Sequence, residues 1–265
     1  MGPVTPPDFP HSVAAFCAAF LAGGINSVAG GGTLVTFPTL MWLGLPSVTA
    51  NATNTVAIWP GSLGSIWGFR RELGRTDPAM RWLVIPSFLG GAAGALLLRS
   101  TPPGVFDRLV PFLILFATVL FTVQAPIQRW LKRGLAHEHS HRTPGWFAGV
   151  LFFQFLVGTY GGYFGAGMGI MMLSALSIFG MADILEMNAL TSLFGLCING
   201  IAAVLFIASG MIYWPYVLVM AIAAITGGYA AAGVARKIGK TAVRRFVIAI
   251  GYTIATILFI RMLRA

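Results

Sequence analysis

Phe155-Leu156-Val157-Gly158-Thr159-Tyr160-Gly161-Gly162-Tyr163-Phe164-Gly165-Ala166-Gly167-Met168-Gly169 lies inside the apolar run Trp146–Phe179, and its glycines decide how the chain folds. Glycine inside a helix costs about 1 kcal/mol relative to alanine, so a cluster of them marks an interruption. A second apolar run, Ser12–Leu45, is interrupted at Gly30-Gly31-Gly32. As one straight helix this run would be roughly 50 Å long, more than the 40–45 Å between headgroup layers of a bilayer. Each run is therefore read as two shorter helices joined at a glycine break.

Working outward, the breaks repeat. Phe20-Leu21-Ala22-Gly23 matches Phe155-Leu156-Val157-Gly158, Gly31 aligns with Gly167, and Asn51-Ala52 aligns with Asn188-Ala189. Gly90-Gly91 aligns with Gly227-Gly228 and Arg99 with Arg236, at an offset that drifts only from 135 to 137 residues. A nearly constant offset is what a tandem repeat produces. The expected division is repeat 1 over 12–127, a polar linker over 128–143, and repeat 2 over 144–262, all in one membrane domain covering 1–265.

Composition sets the class. Hydrophobic residues make up 57% of the chain and charged ones only 9%, against about 25% charged in a soluble domain. Apolar stretches long enough to span are Thr49–Phe69, Met80–Leu98, Val105–Val123, Ile184–Ser209, Tyr213–Ala235 and Ala242–Met262. The net charge of +10 does not indicate nucleic acid here, because the basic residues lie in loops, where they orient the protein and meet lipid headgroups. The first 11 residues carry no Lys or Arg, so no signal peptide is expected. Cys17 and Cys197 sit within apolar runs and read as packing residues.

Counting Lys and Arg tests topology. Eight crossings place 10 basic residues on one side and 7 on the other. If each broken run enters and leaves by the same face, six crossings remain, and the loops Arg70–Arg81, Arg129–Arg142 and Arg236–Arg245 collect 13 against 4. The second count has the bias of a membrane protein. Three crossings per half also invert one repeat relative to the other, as in many secondary transporters. The expected fold is an all-α polytopic membrane protein with two inverted repeats of four helical segments, each opened by a glycine-broken, re-entrant helix.

Irregular backbone at membrane depth is tolerated only where it is buried in protein or lines a wet cavity. Two matched breaks therefore point to a binding site, and the helices starting near Thr33 and Ile170 offer free amides and positive dipole ends to an anion. The bland reading of the same glycines is close helix packing. Candidate binding residues are Gly30, Gly31, Gly32, Thr33, Asn51, Asn54, Gly165, Gly167, Gly169, Asn188, Thr191 and Ser192, with Asn26 and Tyr160 nearby. Amides and hydroxyls can donate to an oxyanion without fixing charge; their bland role is hydrogen bonding between helices. No Lys or Arg lies deep in a span. Asp183 and Glu186, at the start of a helix, are candidates for proton coupling, with N-capping as the plain alternative for Asp183.

Other chemistry is less favoured. His137-Glu138-His139-Ser140-His141 has a spacing that suits a transition metal and equally a polar loop. No nucleotide or hydrolase motif is present, and Tyr160 and Tyr163 alone make a poor transferase site, so the chain reads as a carrier without a cofactor or resident metal, not an enzyme. The competing readings are a divalent-metal permease that uses the histidine loop and a membrane assembly protein.

Ala29-Gly30-Gly31-Gly32-Thr33-Leu34 with Ala50-Asn51-Ala52-Thr53-Asn54, and Gly161-Gly162-Tyr163-Phe164-Gly165-Ala166-Gly167 with Asn188-Ala189-Leu190-Thr191-Ser192, resemble the TauE/SafE sulfite exporter family. The likeness covers roughly residues 12–262, and the second half departs from an unbroken glycine run at Ala166 and Met168. It implies a multi-pass protein of the bacterial inner membrane that carries sulfite, sulfonates or related sulfur-containing anions. Its partners would be that anion and the bilayer, with a homodimer open as its oligomeric state.

Overall fold

A computed structural model describes residues 8–28, 31–134, 144–179, 181, 183–238 and 240–264. Every regular element among them is helical. The order is α1 (Phe9–Val28), α2 (Thr33–Trp42), α3 (Ser47–Gly68), α4 (Arg70–Arg75), α5 (Pro78–Arg81), α6 (Val84–Ser100), α7 (Pro103–Gly134), α8 (Pro144–Tyr163), α9 (Met168–Ile178), α10 (Ile184–Ala208), α11 (Trp214–Ile238) and α12 (Lys240–Arg264).

Five stretches among the described residues are long and apolar enough to cross a membrane: Phe9–Asn26, Pro78–Ser100, Pro103–Gln124, Leu185–Ala208 and Ala242–Leu263. Large apolar side chains such as Leu96, Phe112, Phe152 and Ile222 are exposed, as expected of helix faces solvated by lipid. Trp42, Trp67, Trp82 and Trp214 are exposed at or beside helix ends, where indole rings favour the membrane–water boundary. α3 is different. It is 22 residues long and holds the expected span Thr49–Phe69 as far as Gly68, but it is not among those five. Asn51, Ala52, Thr53, Asn54, Thr55, Val56 and Ala57 are all buried. Consecutive burial covers the full helix circumference, so this polar stretch is sheathed by protein on every side.

Both broken runs are broken, with unequal arms. α1 has 20 residues and α2 has 10; α8 has 20 and α9 has 11. The second break is narrower than its glycine content suggests. Gly158, Gly161 and Gly162 lie within α8 and Gly169 within α9, leaving Gly165 and Gly167 to make the turn with φ of +79° and +82°. At the first break Gly31 has φ +95°, and Gly30 lies outside the described residues. α7 runs on to Gly134, so the polar segment expected from Gln128 begins inside a helix.

Helix packing follows an exchange pattern. α1 packs against α11, and α8 packs against α6. α3 contacts both α10 and α11, α10 contacts α6, α7 contacts α12 and α9, and α12 contacts α2. If α1, α2, α3, α6 and α7 are matched with α8, α9, α10, α11 and α12, each of these contacts maps onto another in the set or onto itself. The glycines explain the tightest of them. A Cβ on Gly94 or Gly162 would overlap the Thr159 or Gly91 carbonyl oxygen across the α6–α8 contact, and one on Gly23 or Gly227 would overlap the Ala224 or Phe20 carbonyl oxygen across α1–α11. Lipid tails are as apolar as leucine, so close van der Waals contact of this kind holds membrane helices together. Gln154 adds a polar pin, its Nε2 donating to Ser87 Oγ at 2.7 Å between α8 and α6.

Candidate functional site

The two breaks converge on one turn of α7. A Cβ on Gly31 would run into the Phe121 ring, and one on Gly167 would lie 3.4 Å from Leu120 Cδ1 and 3.6 Å from Ala117 Cα. They also touch through their own elements, since Phe37 of α2 packs edge-on against Phe164 of the second break with ring centroids 5.3 Å apart. The sequence alignment pairs the breaks, and the helix packing brings them side by side.

Each break is closed by a side chain from the helix before it. Gly32 N donates to Asn26 Oδ1 at 2.8 Å, and Tyr160 OH donates to the Ala166 carbonyl at 2.6 Å. Asn26 and Tyr160 therefore shape the turns. At the start of α2 the amides of Leu34, Val35 and Thr36 bond back to the Gly31 and Gly32 carbonyls. At α9 the amides of Met168, Ile170 and Met171 bond to Gly165 and Gly167 carbonyls, while those of Gly167 and Gly169 have no acceptor among the described residues. The second break is the better source of free donors at a helix N-terminus.

α3 supplies the polar side chains. Asn51 Nδ2 reaches across to the Tyr163 carbonyl at 2.9 Å, joining the first half to the end of α8. Thr36 Oγ1 donates to Asn54 Oδ1 and so pins α2 to α3. Tyr213 N donates to Thr53 Oγ1 at 2.9 Å, and Trp59 Nε1 donates to the Leu196 carbonyl at 3.2 Å. Asn54 is thus committed to structure. Its counterpart Thr191 is not: its Oγ1 is buried without a partner, and its methyl lies 3.6 Å from where a Gly169 Cβ would stand. Asn51 Oδ1 and Ser47 Oγ are likewise buried and unpaired. Asn188 and Ser192 are half-buried on α10, and Thr33 is buried at the start of α2.

Of the remaining candidates, Asp183 caps α10 by accepting from Leu185 N at 2.7 Å and is exposed. Glu186 follows in the first turn of the same helix. The His137–His141 motif lies outside the described residues. A groove of about 350 Å³ opens between α2 and α12, lined by residues that include Pro38, Trp42, Leu258 and Arg261. None of the sequence-predicted site residues lines it. Thr36, Trp59 and Ser47 were not singled out by sequence reasoning; the spacing of Thr33, Thr36 and Thr39 along one face of α2 is the signal that could have found Thr36.

Known proteins are similar to this chain over most of its length. A "Probable membrane transporter protein" of Haemophilus influenzae is 32% identical over 238 residues, covering 89% of this chain and 90% of that protein. The "Probable membrane transporter protein ORF9" of a Sinorhizobium species is 27% identical over 241 residues, covering 91% of this chain and 89% of that protein. The "Probable membrane transporter protein YfcA" of Escherichia coli K12 is 26% identical over 235 residues, covering 88% and 84%. No solved structure matches. The family described as "Sulfite exporter TauE/SafE" matches residues 15–258, nearly the whole helical bundle, and the chain is a multi-pass membrane transporter protein belonging to that family.

Proposed function

We propose that this chain is a secondary transporter of the bacterial inner membrane that carries a small oxyanion, sulfite or an organosulfonate, bound where the two breaks meet on α7. The observation that carries the reading is the start of α9 at this convergence, where the Gly167 and Gly169 amides lack acceptors among the described residues and Thr191, whose buried hydroxyl is unpaired, packs its methyl towards Gly169. Gly167, Gly169 and Thr191 are the principal donors; Asn188 and Ser192 complete the lining from α10. Gly31, Gly32 and Thr33 form the opposite wall. Depth supports the site. α2 rises about 15 Å from the break to the exposed Trp42, half of a hydrocarbon core roughly 30 Å thick.

The exchange of contacts between α1–α11 and α8–α6 supports two inverted repeats over 12–127 and 144–262, and transport then proceeds by one group of helices rocking against the other. An anion held by dipoles and neutral donors is released more readily than one paired with a buried cation, which suits a carrier.

The test is sulfite flux in proteoliposomes, with membrane potential and pH gradient imposed separately, on wild type and Thr191→Val. Saturable flux that falls at least tenfold in the variant is the expected result. Flux unchanged in Thr191→Val removes the site. No sulfite or sulfonate flux under either gradient removes the substrate class.

A further inference from the structure

The second break joins two helix ends of opposite polarity. α9 begins there with a positive end, and α8 finishes there with a negative one. At the close of α8 the amides of Phe164 and Gly165 both turn to the Tyr160 carbonyl, at 2.9 and 3.1 Å. Gly165 N would ordinarily bond to Gly161, so the Gly161 and Gly162 carbonyls are left without a donor among the described residues. Asn51 faces this end. Its Nδ2 is committed to the Tyr163 carbonyl, which fixes its Oδ1 as a bare acceptor, in a residue only 1% exposed. The position of a Gly165 Cβ is 2.9 Å from the Gly161 carbonyl oxygen and 3.9 Å from Asn199 Oδ1, so a second amide oxygen flanks the same space. One turn before Asn51 on the same face of α3, Ser47 Oγ is also buried and unpaired.

An anion is repelled by this arrangement, and a single water brings only two hydrogens to several acceptors. The described groups here include no carboxylate, which disfavours a divalent ion and gives a proton no resting place. Neutral oxygens at a helix C-terminus suit a monovalent cation. We infer that Asn51 Oδ1, with the Gly161 and Gly162 carbonyls and Asn199 Oδ1, binds a sodium ion at the carbonyl end of α8. The amides of α9 lie just across the Gly165–Gly167 turn, so sodium and anion stabilise each other, and each raises the other's affinity by the same factor. This coupling rests on the anion site proposed above; sodium binding itself does not.

The test uses purified full-length protein in detergent, with melting followed by tryptophan fluorescence. Sodium chloride is exchanged for potassium or N-methyl-glucamine chloride at constant ionic strength. Sodium at ten times its Kd is expected to raise Tm by roughly 3–6 °C, potassium and N-methyl-glucamine to leave it unchanged, and Asn51→Leu to abolish the sodium response. Should Asn51→Leu fail to fold, Asn51→Asp keeps the acceptor and adds charge, and its response should saturate at lower sodium. Equal shifts with all three cations, or an unaltered sodium response in Asn51→Leu, overturn the site. A sodium response without sulfite flux leaves the cation site standing and removes the anion reading, whereas sulfite flux with no sodium response in Tm overturns the cation site alone.

Discussion

Replacing Gly94 with alanine adds one methyl group to α6, directly against α8. The new Cβ overlaps the Thr159 carbonyl oxygen and lies 2.7 Å from the Tyr163 amide nitrogen and 2.9 Å from the Gly162 carbonyl carbon. All three are backbone atoms, so no side chain can rotate away, and relief requires the helices to part by about 1 Å. A gap of that size forfeits a quarter to a half of each dispersion contact along the seam. Overpacking costs about 1–3 kcal/mol, and the upper part of that range applies because rigid backbone opposes the methyl. The better helix propensity of alanine returns about 1 kcal/mol, leaving a net loss of about 2 kcal/mol. For a chain of this size that is a fall of roughly 4–8 °C in Tm. Gly149→Ala on α8 is the matched control, since its Cβ meets nothing within 4 Å; it should hold or slightly raise Tm. Detergent-solubilised protein melted side by side gives the answer. If Gly94→Ala melts with Gly149→Ala, the helices are not in backbone contact at this seam.

Four further outcomes follow from the same geometry. Thr36→Val strips the donor from Asn54 Oδ1 and should destabilise the protein by about 1–3 kcal/mol, read as a lower melting temperature; retained stability would show that Asn54 has another donor. Gly167→Ala places a Cβ at φ +82°, a strain of about 1–2 kcal/mol, and should reduce sulfite flux more than Gly149→Ala does. Thr191→Val removes an unpaired hydroxyl, so Tm should hold while sulfite affinity, measured by competition, falls about tenfold, the worth of one hydrogen bond to a charged group. Asp183→Ala loses the cap to Leu185 N and should cost about 1 kcal/mol without altering the pH profile of flux; a changed profile would return that carboxylate to the transport cycle.

The helical class and the two helix breaks were legible in the sequence, because composition and glycine clusters are read directly from the chain. What the glycines do was not. Gly162 and Gly165 are the same letter three positions apart, yet one is flat against the Gly91 carbonyl inside a helix and the other turns the chain with positive φ. Only the neighbouring helix separates these roles. The Asn and Thr cluster of α3 was likewise visible as a group, but its division of labour was not. Asn54 is held by Thr36, Thr53 by the Tyr213 amide, and Asn51 half-committed to Tyr163, partners that come from α2, the connection before α11, and α8. The polar start of α3 lowers its apolar character, which is why a helix sheathed by protein need not resemble a lipid-facing span.

The pairing of α1 with α11 also governs how the protein is made. Gly23 is shaped to receive the Ala224–Gly228 backbone, which leaves the ribosome about 200 residues later. At a synthesis rate of about 5–20 residues per second, the first helix stands in the bilayer for roughly 10–40 seconds with its groove facing lipid. α6 waits less, since α8 follows it closely in the chain. Assembly therefore closes from the middle outward, and a nascent chain stopped before Trp214 presents α1 unclaimed to membrane quality-control proteases.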